Sequence, residues 1–254
     1  MDCQALCARL DEELRTAAYA DVDASANGLQ VGAGTGSVDR AAFAVDAAAE
    51  TIARARDADA DLLVVHHGLS WGGFDRVTGR TYDRIAALVE ADIDLYVSHL
   101  PLDGHPELGN AAGVADRLGL VDRRAFGTIG EEHVGRQGRL DEPTDVEGLR
   151  ERLAGLDTGG RSIRTLSFGP DQIGRVAVLT GSGGDWLEEA VAAGADAFVT
   201  GEGKQKLYHQ AREAGIHVLL AGHYATETFG VRALADLVAG WGPETTVIDC
   251  PTGL

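Results

Sequence analysis

Short apolar runs alternate with amphipathic stretches along most of this chain, and that alternation is what most restricts its fold. Runs at 61–66, 94–99, 175–180, 196–200, 216–221 and 245–249 read as strands. Stretches at 81–91, 109–118, 185–193, 203–214 and 225–239 read as helices. Nearer the start, 3–18 reads as helix, with Leu6, Leu10 and Leu14 four residues apart, and Phe43 to Asp46 as a strand entering a helix over Ala47 to Ala58. Repeated strand–helix alternation predicts an α/β fold with a mostly parallel sheet. From 124 to 170 the rhythm changes, to a strand at His133–Leu140, a helix at Asp145–Leu156 and a strand at Ser162–Ser167. The expected organisation is two outer α/β segments, 1–123 and 171–254, with 124–170 as an inserted or second subdomain.

Six potential metal ligands sit in three clusters, each just past an apolar run. They are His66-His67 after Leu62 to Val65, His99 and Asp103 after Leu95 to Val97, and His223 and Glu227 after Ile216 to Leu220. In open α/β sheets, sites form at the carboxyl ends of strands. Imidazole and carboxylate together suit Zn, Fe, Mn, Co or Ni, and this many donors suggests two divalent ions.

Each cluster also has a plainer reading. Adjacent histidines on a regular strand point to opposite faces, so both serve one centre only where the backbone turns, and Gly68 follows at once. Alternatively they simply end a strand, one buried and hydrogen-bonded. Pro101 argues against a helix between His99 and Asp103, which leaves Asp103 to be carried by a turning loop or to be only a turn residue. His99 could act as a ligand or hydrogen-bond one. His223 and Glu227, at i and i+4, share a helix face, or merely mark a helix start. Three coincidences at three strand ends favour the metal site.

Thr200-Gly201-Glu202-Gly203-Lys204 also follows a strand, so Glu202 and Lys204 are candidates to line the same pocket. Gly181-Ser182-Gly183-Gly184 matches neither GxGxxG nor the P-loop and reads as a tight strand-to-helix turn. His133, His209 and His217 lack such context. Cys3, Cys7 and Cys250 have no CxxC spacing, which argues against a disulfide framework or a structural zinc site.

Composition narrows the partners. The net charge is −18, and lysine occurs only at Lys204 and Lys206 among 22 basic residues. No dense basic footprint for nucleic acid is present, nor a strongly basic loop for a triphosphate. An acid excess joined to lysine poverty suits high salt, where repulsion is screened, and suggests a halophilic source. No segment approaches the roughly 20 apolar residues that cross a bilayer, and the charged N-terminal stretch does not read as a signal peptide, so a cytoplasmic location is expected.

The clusters resemble those of the Nif-three-like dinuclear metal-centre family, the GTP cyclohydrolase I type 2 homologues. The matching stretches are Asn27 to Val31, Asp61 to Trp71, Ser98 to Asn110, Thr200 to Lys204 and Ala221 to Glu227, in order across nearly the full length. The resemblance implies a Nif-three-like fold of two α/β lobes around a central dinuclear metal cleft. It implies His66, His67, Asp103, His223 and Glu227 as ligands, with His99 close by. It also implies a homohexamer, a trimer of dimers with sites facing the ring interior. Gly68 and Leu100 stand where many members have proline and threonine, which leaves the ligands intact and weakens any inference about substrate.

Two functions compete. One is a metal-dependent hydrolase acting on a small molecule, where the family label implies ring opening of a GTP-like base and a phosphoester or amide fits the ions equally well. The other is a noncatalytic metal-binding hexamer with a regulatory or scaffolding role.

Overall fold

The apolar runs become strands, and the strands form two sheets, each within its own compact unit. The computed structural model describes residues 1–254. In chain order the elements are α1 (Cys3–Glu13), β1 (Gly28–Val31), β2 (Arg40–Asp46), α2 (Ala49–Asp57), β3 (Leu62–His67), α3 (Arg80–Glu90), β4 (Asp94–Val97), α4 (Leu100–Gly104), α5 (Asn110–Leu118), β5 (Leu120–Ile129) and β6 (Glu132–Thr144). They continue with α6 (Val146–Arg152), β7 (Arg164–Leu166), β8 (Ile173–Leu179), α7 (Leu187–Ala192), β9 (Ala197–Thr200), α8 (Lys206–Ala214), β10 (His217–Leu220), α9 (His223–Thr226), α10 (Thr228–Ala239) and β11 (Glu244–Val247).

The first unit comprises Met1–Leu102 and Gly230–Cys250. Its five-stranded sheet runs β1-β4-β3-β2-β11, parallel except where β1 pairs antiparallel with β4. Leu62 to Val65 on β3 are fully buried, which is why this run is continuously apolar rather than alternating. The core gathers Ala42, Ala44, Ile52, Leu63, Val65, Leu88, Leu95 and Val97. Burying each larger aliphatic side chain is worth roughly 1.5–3 kcal/mol. Asp2 caps α1 by accepting from the Ala5 N–H at 2.9 Å.

The second unit comprises Asp103–Phe229 and Pro251–Leu254. Its six-stranded sheet, β5-β6-β8-β9-β10-β7, is mixed. β8, β9 and β10 are parallel, flanked by antiparallel β6 and β5 on one side and antiparallel β7 on the other. Residues 124–170 thus contribute strands to the same sheet as β8–β10. The core joins Ala111, Val114, Leu118, Leu149, Ile173, Val178, Val199 and Leu219. Asp145 caps α6 through the Gly148 N–H at 2.8 Å.

One local expectation is corrected. Leu100–Gly104 is a short helix, not a loop. Pro101 falls in its first turn, where a missing N–H leaves no helical hydrogen bond unmade and the fixed φ suits a helix.

Candidate metal centre

The first unit holds three histidines at the carboxyl ends of two adjacent parallel strands. Val65 on β3 is in register with Val97 on β4, so His66 and His67, which end β3, lie beside His99. The ring centroids of His66 and His67 are 4.6 Å apart, those of His66 and His99 5.1 Å, and those of His67 and His99 5.7 Å. One nitrogen from each ring lies within 4.8 Å of the others. His66 is fully buried.

The Nδ1 atoms of all three rings face acceptors. His66 Nδ1 lies 2.9 Å from the Ser98 carbonyl oxygen, His67 Nδ1 2.9 Å from Asp46 Oδ1, and His99 Nδ1 2.9 Å from Asp23 Oδ1. A carbonyl oxygen only accepts, so Nδ1 of His66 donates, and in the neutral ring the lone pair is then on Nε2. The two carboxylates impose the same tautomer on His67 and His99. Register explains the Asp46 contact, because Asp46 on β2 pairs with His67 on β3. Asp23 also accepts from the Ser25 and Leu100 N–H groups and from Asn27 Nδ2. Burial alone would raise its carboxyl, but the hydrogen bond from His99, with those from Asn27 and Ser25, outweighs that and holds it below the usual carboxylate range.

The second unit presents carboxylates and one histidine. The carboxyl ends of β8, β9 and β10 are aligned, Leu179 with Thr200 and Thr200 with Leu220. His223 begins α9, and Glu227 closes it one turn later. Their Nε2 and Oε2 atoms are 3.2 Å apart, and His223 Nδ1 is 3.1 Å from Glu202 Oε1. Burial favours the neutral ring, but Glu227 and Glu202 together outweigh it and lift His223 to about 9. Glu202 is held low chiefly by the Ser182 hydroxyl that donates to it. Glu227 is buried, and the backbone makes room for it: a Cβ on Gly181, at φ +58°, would sit 2.2 Å from Glu227 Oε1. Gly222, at φ +97°, turns the chain from β10 into α9. Asp103, also buried, accepts from Asn110 Nδ2 at 2.9 Å and from Thr180 Oγ1 at 3.1 Å.

Lys204 lies differently. Its ammonium pairs with Asp185 at 2.7 Å, and 72% of its side chain is exposed. With Ser182 and Glu202 it lines a cavity of about 180 Å³.

Comparison with known proteins gives this geometry its family. The Duf34/NIF3 (NGG1p interacting factor 3) family model matches residues 1–252. The chain belongs to that family. The relatives of this NIF3-family chain include a protein of Halobacterium salinarum named GTP cyclohydrolase 1 type 2 homolog, 59% identical with both chains fully covered. A Pyrococcus abyssi protein of the same name is 42% identical, again with both chains fully covered. Among solved structures, TTHA1606 from Thermus thermophilus matches with a TM-score of 0.88 at 38% identity over the whole of both chains. In both units of this NIF3-family protein, then, strand ends carry histidine or carboxylate groups of the kind that could hold a metal ion.

Asp46 and Asp23, which orient two of the histidines, escaped the sequence reading, as did Thr180 and Asn110. Asp46 was legible in principle as the last residue of a strand preceding the histidine strand. Asp23 lies outside every strand and helix expected from the sequence, and nothing local distinguishes it.

Proposed function

We propose that these strand-end histidines and carboxylates hold divalent metal ions, two in number, and that the protein is a metal-dependent hydrolase of the type its relatives' names describe. The observation that carries this reading is the common orientation of His66, His67 and His99: each Nδ1 faces a fixed acceptor, and one nitrogen of each ring lies within 4.8 Å of the others. A structural role needs no such agreement, whereas ligation does. The donor chemistry fits, since neutral imidazole and carboxylate suit the divalent ions from Mn to Zn. His66, His67, Asp103, His223 and Glu227 are the ligands in this reading, with His99 beside them.

When bound, such ions supply Lewis-acid polarisation and a nucleophile at neutral pH. The protein supplies the rest. Asp46, Asp23 and the Ser98 carbonyl fix the rings. Glu202 holds His223 from its other nitrogen. Thr180 and Asn110 orient Asp103. No helix is long and apolar enough to cross a membrane.

The assembly we propose is a homohexamer, a trimer of dimers, and the setting a salt-rich cytoplasm. The Halobacterium relative, the charge of −18 and the two lysines support the salt.

The test is elemental analysis of protein purified without added metal, followed by turnover of a panel of nucleotides, phosphoesters and amides. Bound ions together with turnover that is lost in Glu227→Gln support the reading. Protein that takes up no divalent ion overturns it. Bound ions with no turnover across the panel leave the noncatalytic metal-binding hexamer in its place.

A further inference from the structure

An acidic chain that leaves a tryptophan half in water invites explanation. Trp71 is 47% exposed, and its ring lies against the histidine set. Its centroid is 4.9 Å from that of His99 at an interplanar angle of 79°, and 6.0 Å from that of His67 at 47°.

The segment carrying it is tied down on both sides. Before it, Gln30 Oε1 accepts from the Leu69 N–H at 2.6 Å and the Ser70 N–H at 3.0 Å. Trp71 itself bridges antiparallel to Ser25. Ala26 donates to the Ser70 carbonyl at 3.2 Å, and Gly72 donates to the Ala24 carbonyl at 2.6 Å. Gly68 lets the chain come this close, since a Cβ there would meet the Gln30 amide at 2.7 Å.

An indole on a loose loop could fold onto any nearby apolar surface and lose water. Here four hydrogen bonds, two of them to the Gln30 side chain, hold the segment's backbone, so the exposure is built in. Half of a large π-surface therefore stands in solvent next to three histidines.

We propose that Trp71 is a stacking platform for a planar heteroaromatic ring, a nucleobase or a pterin, and that it sets where the substrate meets the histidines. The proposal rests on the hydrolase reading and narrows it to substrates with a flat ring. Offset stacking on indole tolerates any such ring, because each has a π-face. Trp71 is a positioning residue in this scheme, and it moves no proton.

The experiment titrates GMP into the protein as purified, with ribose 5-phosphate as the ring-free control and AMP and neopterin as alternative rings. Trp71 emission is isolated by difference against Trp71→Phe, and affinities come from calorimetry. Ring-dependent quenching is expected, with GMP bound about 10- to 100-fold more weakly by Trp71→Ala. Trp71→Phe should keep most of the affinity, and ribose 5-phosphate should be indifferent to either change. Equal weakening of GMP and ribose 5-phosphate would overturn the proposal. So would the absence of quenching by all three rings at millimolar concentration, or an effect of Trp71→Ala confined to the oligomeric state. Ion content is read on the same samples. Missing ions with ring-dependent quenching would sink the metal reading alone, and intact ions without quenching would sink the stacking role alone.

Discussion

The two donor sets solve the same problem in opposite ways. In the first unit, nitrogens converge, and each ring is held by an acceptor behind it. In the second, carboxylates converge on a single imidazole, and His223 is held between Glu227 and Glu202. In the first arrangement, each Nδ1 faces its own acceptor. The second gathers negative charge and keeps it in place with a proton, which is why His223 is lifted to about 9. Under the proposed reading, the histidine set would meet an ion with its rings already oriented, and the carboxylate set would exchange a proton for one.

The sharpest way to break this contrast is to delete a donor from each side. Glu227→Gln and His66→Ala should each lower metal affinity by more than about 100-fold, beyond what loss of a supporting group costs. Chelator competition with elemental analysis measures this, with circular dichroism confirming that each variant is folded. If one deletion leaves ion content and affinity unchanged, the ions belong to the other set alone.

Removing the groups behind the rings should cost less. Asp46→Asn and Asp23→Asn keep the shape but allow the amide to donate, so His67 and His99 lose the constraint on their tautomer. Affinity is expected to fall about 10- to 100-fold. An Asp23→Asn variant with wild-type affinity would show that His99 stands outside the ligand set.

A pH series sharpens the comparison from the other side. The His223 pKa rises from 6.5 to about 9 on folding of the metal-free chain. The folded state therefore holds this proton more tightly, so its stabilising contribution is whole below pH 6.5 and fades as pH climbs through about 9. Metal affinity runs the other way, rising by up to about tenfold per pH unit across that window as the competing proton leaves. Glu202→Gln removes one of the two carboxylates but no proposed ligand, and should move the window to lower pH. A flat affinity profile from pH 6.5 to about 9 would mean that His223 exchanges no proton for metal.

The residues legible in the sequence were those whose role is local. Apolar runs fix strands, the residue after a strand lies at its carboxyl edge, and so His66, His99 and His223 announced themselves. The partners that orient them are set by register and tertiary packing. Asp46 meets His67 only because β2 and β3 pair in parallel with those residues opposed. Asp23 reaches His99 across 76 residues. The stretch from 120 to 144 shows why the strand–helix rhythm stops near 124. β5 and β6 form an antiparallel ribbon, and the buried Arg136 interrupts the apolar signal by spending its guanidinium on the Gly135 and Gly104 carbonyls. Pro101 misled because proline's veto applies to helix interiors, not first turns.

Lys204 gives the smallest expected effect and a control on the rest. It follows a strand end in the sequence, and its ammonium reaches Asp185, as does that of Lys206. The two lysines hold Asp185 at about 2. A carboxylate lowered in this way favours the folded chain above its ordinary pKa of 3.8 and loses that favour as pH falls through about 2, so nothing should be seen near neutrality. Both partners are well exposed, and such pairs contribute little. Lys204→Ala should leave ion content and the melting temperature unchanged to within about 1 °C at pH 7. A clear drop in metal affinity would show instead that the charge of Lys204 acts on the Glu202–His223 pair, and the carboxylate set would then extend past the residues that touch it.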